Sequence, residues 1–353
     1  MADFQTVRRH LEAPLREALA AARVVFLDGA RQTGKSTLAA VVAGTSRDYL
    51  TLDDAAILAG AKNDPMGFVG GLSDAVVIDE VQRAPELFLA IKMSVDRDRR
   101  PGRFLVTGSA NALLLPRLAD ALVGRMRVVT LWPFSQGEIE GIREGFVDAV
   151  FGADAPAVAR GITRAEAIER VVRGGYPEPV TRGVDGGWYG AYITTLLHRD
   201  VRDLANVEQL GMMPALLELL AARAGSLLNT AELSRSAALP HNTLRRYLAL
   251  LETLFIVHRL PAWSGSATKR LAKAPKPVLA DTGLMAHLLR ATPAHLQSAP
   301  TLLGPLLENF IAMEVRKQAG WSEASIRMFH YRSHSGDEVD LGSFPPTAPT
   351  ALL

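Results

Sequence analysis

An α/β fold, with a mostly parallel sheet covered by helices on both faces, is what the sequence predicts, and three observations predict it. Residues 29–36 read GARQTGKS, which satisfies the pattern G-x-x-x-x-G-K-[ST]. Apolar runs recur between stretches of helical character, at Val24–Leu27, Tyr49–Leu52, Val76–Ile78, Phe104–Thr107 and Val128–Leu131. That alternation is the signature of strands joined by helical crossovers. Residues 76–80 read VVIDE, an apolar strand that ends in two adjacent carboxylates.

The first motif has the context its chemistry needs. Val24-Val25-Phe26-Leu27 precedes it as a buried strand, and Thr37-Leu38-Ala39-Ala40-Val41-Val42-Ala43 continues it as a helix. Gly29 and Gly34 let the backbone curl so that successive N–H groups face inward and form an anion nest. Residues 29–37 (Gly29, Ala30, Arg31, Gln32, Thr33, Gly34, Lys35, Ser36 and Thr37) are the expected phosphate cradle. The helix starting near Lys35 adds its positive end. Lys35 supplies a point charge for the β- and γ-phosphates, and the Ser36 hydroxyl is a Mg²⁺ ligand. Arg31 either touches nucleotide or points to solvent.

In a parallel sheet, strand carboxyl ends face the ligand crevice. Asp79 is then expected to hold Mg²⁺ through a water, and Glu80 to orient and deprotonate the attacking water. The alternative is a solvated acidic turn. The fourth run leads into Gly108-Ser109-Ala110-Asn111. Ser109 and Asn111 are candidates to sense the γ-phosphate, against a turn and helix cap as the plainer reading. Arg125, just before the fifth run, is either an arginine finger acting in cis or from a neighbouring subunit, or a surface arginine.

The bulk numbers bound the rest. The chain has 353 residues, 48% hydrophobic and 22% charged, which suggests two or three domains. A net charge of +2 demands no nucleic acid by itself. There is no cysteine, which excludes disulfides and thiolate metal sites and is compatible with a reducing cytoplasm. No apolar run approaches the ~18 residues of a membrane span, and Arg8 and Arg9 are followed by no secretory apolar core. The expected location is the cytoplasm, with no membrane partner. Leu11, Leu15, Ala18 and Leu19 give instead a short amphipathic helix.

Farther on, Gly174-Gly175-Tyr176-Pro177 is a strong break. Trp188 to Leu204 carries apolar residues at helical spacing, with His198, Arg199, Asp200, Arg202 and Asp203 on a salt-bridged face. Residues 214–263 read as a winged helix-turn-helix. Asn229-Thr-Ala-Glu232 has the form of a capping box, Pro240-His241-Asn242-Thr243 opens a second helix, and Phe255–Leu260 is a wing strand. Asn242, Thr243, Arg245 and Arg246 lie at the exposed start of that helix, where such folds meet DNA; winged helices serve equally as protein-binding modules. Lys269, Arg270, Lys273 and Lys276 form a basic stretch, suited to a phosphate backbone or simply solvated.

The strings LDGARQTGKSTL, YLTLDDAAIL, AVVIDEVQRAP, FLVTGSANALLL, LVGRM and LWPFSQGE together resemble a bacterial and archaeal P-loop ATPase family of the AAA+-like group, in which the core is followed by a conserved domain of unknown function. GGYPEP, YITTLLHRDVRDLA, KAPKPVLADTGLMAHLL and GPLLENFIAMEV extend the resemblance to about residue 341. It implies a five-stranded core of order 5-1-4-3-2, ATP as the nucleotide, and an interdomain contact for Arg199 and Asp200. It also implies a carboxyl-terminal segment like a PD-(D/E)xK nuclease, with Glu308 on a helix Leu306–Gln318 and Asp340 in GDEVDL. The Glu-x-Lys strand of such a site is missing. After Leu341 the chain reads GSFPPTAPTALL, and prolines at that density cannot form a central strand.

Three regions follow: an ATPase core over 1–170, a helical and winged-helix region over 171–265, and an incomplete nuclease-like α/β segment with an irregular tail over 266–353. The leading expectation is a Mg²⁺-dependent ATPase whose hydrolysis moves the carboxyl-terminal domains, alone or as a homo-oligomer. A nucleotide-gated DNA- or protein-binding switch with little turnover is the second, and a remnant that binds nucleotide without output the third.

Overall fold

The computed structural model describes residues 7–108, 122–152, 161–183, 187–198, 210–264, 273–333, 335, 337–344 and 351–352. The described residues divide into two compact units, Arg8–Pro133 and those from Phe134 onward.

The first unit is the α/β core. In chain order it contains α1 (Glu12–Ala21), β1 (Val24–Asp28), α2 (Lys35–Ala43), β2 (Asp48–Thr51), α3 (Ala55–Asn63), α4 (Pro65–Gly70), β3 (Val76–Asp79), α5 (Leu87–Arg97), β4 (Phe104–Thr107) and β5 (Met126–Thr130). The five strands form one sheet, β2-β3-β4-β1-β5, parallel throughout. This is the order 5-1-4-3-2 read from the opposite edge.

β1, β3 and β4 are buried along their whole length, which is why they read as unbroken apolar runs. Their period-2 geometry still sorts them by face. Val24, Phe26, Val76, Ile78, Phe104 and Val106 point into one apolar layer with Leu87, Phe88, Ile91 and Val95 of α5. Val25, Leu27, Val77 and Leu105 point into the other, against Leu15 and Leu19 of α1 and Leu38 and Val42 of α2. Edge strands β2 and β5 are only partly buried.

The second unit begins with α6 (Gln136–Glu140), α7 (Phe146–Phe151), α8 (Arg164–Arg173), α9 (Pro177–Arg182) and α10 (Gly187–Leu196). It continues with α11 (Met213–Ala222), α12 (Thr230–Ser236), α13 (His241–Thr253), β6 (Val257–Leu260) and β7 (Lys276–Leu279). α14 (Thr282–Leu288), α15 (Pro293–Ser298), α16 (Pro300–Gln318), β8 (Arg327–Arg332), β9 (Glu338–Phe344) and β10 (Ala351–Leu352) complete it. One large apolar cluster runs through α8, α10, α11, α13, α14 and α16.

The described residues of 134–170 (134–152 and 161–170), grouped by sequence with the core, cluster with this second unit. Hydrogen bonds explain it. Phe134 N donates to Gly175 O at 2.7 Å, Lys317 Nζ to Phe134 O at 2.8 Å and Gln136 N to Glu314 Oε2 at 2.9 Å.

Several local readings change. Asn229 caps α12 by accepting from Ala231 N and Glu232 N, but Glu232 turns to Arg223 at 3.0 Å instead of closing the box. The helix bearing Glu308 starts six residues earlier than expected and carries Pro305 within it. β9 runs past Leu341 to Phe344 and is the central strand of an antiparallel sheet β10-β9-β8. Arg199, Asp200, Arg202 and Asp203 lie outside the described residues.

The start of α6 carries a titratable group. Glu144 accepts from Ser135 Oγ at 2.5 Å and from Gly137 N at 2.8 Å. Burial raises its pKa from 4.5 to about 7; these two bonds oppose the rise, while Glu314 and Glu138 add to it. A carboxyl with a raised folded pKa takes up protons on folding between its two pKa values, so stability falls as pH rises from about 4.5 to 7. The expected outcome is a shallower fall between pH 5 and pH 8 in Glu144→Gln than in wild type, read from urea midpoints. Parallel curves for the two proteins would refute the assignment.

Candidate active site

The candidate site lies at the carboxyl edge of the core sheet, where β1 passes into α2 and β3 ends. Gly29, Gln32 and Gly34 all take positive φ, at 140°, 60° and 91°. A Cβ on Gly29 would collide with the Leu131 carbonyl oxygen just past β5, so only glycine fits. Thr33 is fully buried and its Oγ1 donates to Ala30 O at 2.9 Å, closing the loop on itself.

Lys35 is buried at the first position of α2. Its Nζ donates to Gly29 O at 3.0 Å and Ala30 O at 2.7 Å. Burial lowers its pKa to about 8, with Glu80, Asp28 and Asp79 opposing that shift and Arg31 adding to it. Neutral carbonyls satisfy an ammonium only in part, and a phosphate anion offers it a stronger acceptor. Asp28, the last residue of β1, is buried too; burial raises its pKa to about 6 against the pull of Thr130 and Lys35.

Asp79 ends β3 almost fully buried. Its Oδ1 accepts from Ser36 Oγ at 2.9 Å and from Thr107 Oγ1, and Oδ2 lies 3.5 Å from Thr51 Oγ1. The sheet register makes this meeting: Thr51 pairs with Asp79 across β2 and β3, and Thr107 ends β4 next door. Ser36 and Asp79 therefore come together as the sequence motifs require. These oxygen donors suit Mg²⁺, which takes one or two carboxylates and completes its shell with water and phosphate oxygens. Glu80 follows in the left-handed region (φ 60°), and its N–H donates to Thr107 Oγ1 at 3.2 Å.

Four participants escaped the sequence reading. Thr107 is the polar residue at the end of β4 that touches Asp79; Ser109 and Asn111, chosen for that place, lie outside the described residues. Thr51 is the second hydroxyl beside the carboxylate. Tyr49 lies on the same face of β2 as Thr51, and burial together with the charge of Asp79 pushes its pKa up. Arg9 donates to Thr33 O at 2.8 Å and to Trp132 O at 2.6 Å. Because a trans peptide holds C=O and N–H opposed, fixing the Thr33 carbonyl on Arg9 turns the Gly34 N–H the other way. Position at a strand's carboxyl end was a usable signal for Thr107 and Thr51; nothing local marked Arg9.

Arg125 is placed differently from one of its two expectations. Its main chain adjoins Val24, at the amino end of β1, roughly 13 Å of strand from the loop. Its guanidinium pairs with Asp96 at 2.5 and 3.0 Å. A finger acting in cis is thereby corrected, because the sheet carries Arg125 to the wrong edge.

The carboxyl-terminal candidates do converge. Lys276 Nζ lies 2.9 Å from Glu308, 2.8 Å from Glu338 and 2.7 Å from Asp340. Lys276 is only 1% exposed, so its assignment to an exposed basic stretch is corrected; Lys273 is exposed, and Lys269 and Arg270 lie outside the described residues. Burial disfavours the ammonium, but bonds to Asp340, Glu338 and Glu308 outweigh that and hold its pKa above the usual lysine range. The carboxylates do not fit a nuclease metal, since the ammonium already takes all three. Among the described residues no group of three or more His, Asp or Glu is arranged to hold a metal ion.

Lys276→Met should destabilise the chain by roughly 3 kcal/mol near neutral pH, the low end for a broken buried pair because Asp340 is 57% exposed. Glu308, whose pKa burial raises against the pull of Lys276, then gains a proton more readily, so the deficit relative to wild type should shrink as pH falls toward 4. A deficit independent of pH in paired melting curves would contradict the cage.

Comparison with known proteins agrees with the geometry. An AAA domain model matches residues 21–140, and models for two domains of unknown function, DUF8612 and DUF4143, match 164–295 and 303–341. The uncharacterized proteins Rv2008c of Mycobacterium tuberculosis and Mb2031c of Mycobacterium bovis are each 33% identical over 342 residues, 95% of this chain and 70% of theirs. Among solved structures, the Thermotoga maritima RuvB Holliday junction branch migration motor matches at 18% identity and a TM-score of 0.33, covering 74% of this chain and 94% of its own. AMPPCP-bound DnaA from Aquifex aeolicus matches at 13% and 0.32, covering 69% and 85%. With a loop, a carboxylate strand and a sheet order of this kind, and relatives matched along nearly its whole length, the chain belongs to the family of AAA-type P-loop ATPases that carry a DUF4143 segment at the carboxyl end.

Proposed function

We propose that this protein binds ATP with Mg²⁺ and hydrolyses it to ADP and phosphate, and that the cycle drives motion of the carboxyl-terminal unit. The observation that carries the reading is the meeting of Ser36 and Asp79, 2.9 Å apart, beside a phosphate loop whose lysine, among the described residues, donates to main-chain carbonyls. The loop N–H groups and Lys35 hold the phosphates. Ser36 and Asp79 hold the metal, which when bound neutralises charge on the β- and γ-phosphates. Glu80 orients the water and accepts its proton as the water attacks the γ-phosphorus.

Turnover in wild type that falls at least a hundredfold in both Lys35→Ala and Glu80→Gln, with ATP affinity kept only in Glu80→Gln, is the expected result. Equal turnover in wild type and Glu80→Gln would remove Glu80 from catalysis.

A second reading, a nucleotide-gated switch that holds DNA, draws on one observation. Asn242, Arg245 and Arg246 are exposed at the start of α13, and Thr243 is half-buried beside them. Reversing charge at Arg245 and Arg246 should weaken duplex binding and flatten its salt dependence. Absence of salt-dependent binding in wild type would leave α13 to a protein partner. Among the described residues no helix is long and apolar enough to cross a membrane.

A further inference from the structure

Gln82 stands two residues beyond Glu80, and the backbone folds it back. The chain turns at Glu80 (φ 60°, ψ 41°) into one tight 3-10 turn, Val81–Arg83. The turn brings Gln82 Nε2 onto Glu80 Oε2, to which it donates. The Arg83 guanidinium at the far end of the turn pairs with Asp53 at the start of the β2–α3 connection, which anchors the turn to the next segment.

The other end of the amide is buried, and among the described residues no donor reaches Gln82 Oε1. A Cβ built on Gly108 would sit 2.7 Å from that oxygen and 3.3 Å from the Phe26 ring. The amide oxygen therefore lies close against the chain just past β4, where a side chain at position 108 would press on it. A buried acceptor without a donor is unfavourable. Flipping the amide would be worse, because Oε1 would then face a carboxylate oxygen with no hydrogen between them. The side chain is held in one orientation, with its N–H on Glu80.

We propose that Gln82 is the positioning residue for Glu80, fixing the plane of the carboxylate so that its second oxygen can meet the attacking water. The proposal rests on the ATPase reading. A glutamate side chain has several staggered rotamers, whereas a general base has to sit within about 2.6–3.2 Å of the proton it takes. The Gln82 amide holds the carboxylate, and Thr107 holds the Glu80 main chain. A 1 Å misplacement of a catalytic group costs about 10²-fold in rate.

The test is steady-state ATP hydrolysis by Gln82→Met, which keeps volume and removes the donor, with Gln82→Glu as a second variant that sets an acceptor against Glu80. The expected result is a kcat lowered about ten- to a hundredfold in both, with KM for ATP and the affinity for a fluorescent ATP analogue within about twofold of wild type. A merely structural role would not give that split. Single-turnover hydrolysis in a Glu80→Gln background supplies the second readout, where adding Gln82→Met should change nothing further, because the residue to be positioned is gone. Unchanged kcat in a folded Gln82→Met, a rise in KM alone, or an equal further loss in the Glu80→Gln background would each overturn the proposal. Wild type without Lys35-dependent turnover would instead overturn the ATPase reading and the proposal with it.

Discussion

The core is organised by the need to keep an ammonium and a carboxylate buried a few residues apart in space without leaving either unsatisfied. Lys35 and Asp79 are both under a tenth exposed. An unpaired charge at such depth is costly. The chain meets the cost with groups that can be exchanged: carbonyls of Gly29 and Ala30 for the ammonium, hydroxyls of Ser36 and Thr107 for the carboxylate. None of these is a full counter-charge. The partners are neutral groups, of the kind that a phosphate and a cation would compete with on favourable terms.

This constraint explains features that look unrelated. The parallel register sets Thr51, Asp79 and Thr107 at the same edge, because β2, β3 and β4 all run the same way and end together. Glycine at 29 lets the β5 end press on the loop, and Arg9 ties that end to Thr33. The nest is thus shaped from outside by groups that need not contact nucleotide, and its N–H groups are oriented before any ligand arrives.

The sequence made legible what is contiguous. GARQTGKS and VVIDE each carry their residues within one short string, so Lys35, Ser36, Asp79 and Glu80 were identifiable from spacing and strand context. Five strands were legible as well, to within two residues, because β1, β3 and β4 are apolar on both faces. Thr107, Thr51 and Arg9 were not, since each reaches the site from a different segment. The same limit misled on Lys276. In the string KAPKPVL it reads as one of a basic group, yet its partners Glu308 and Asp340 are 32 and 64 residues away. The placing of Arg125 in cis beside the loop is a different case: a strand has two ends, and periodicity does not say at which of them a flanking residue will matter.

Lys35 and Lys276 are both buried lysines placed beside strand ends, and the difference between their partners separates a binding site from a fastening. Lys35 is held by neutral oxygens, its pKa is pulled down, and a phosphate competes for it on favourable terms. Lys276 is held by three carboxylates, its pKa is pushed up, and no anion of ordinary charge can displace all three. The resemblance of the carboxyl-terminal segment to a metal nuclease supplies Glu308 and Asp340, but the ammonium takes the place where a metal's charge would act. Glu338 makes the cage tighter still, and it joins β7, α16 and β9 through a single nitrogen. The same residue type thus does opposite things in the two units, and what decides between them is the charge of the oxygens that surround it.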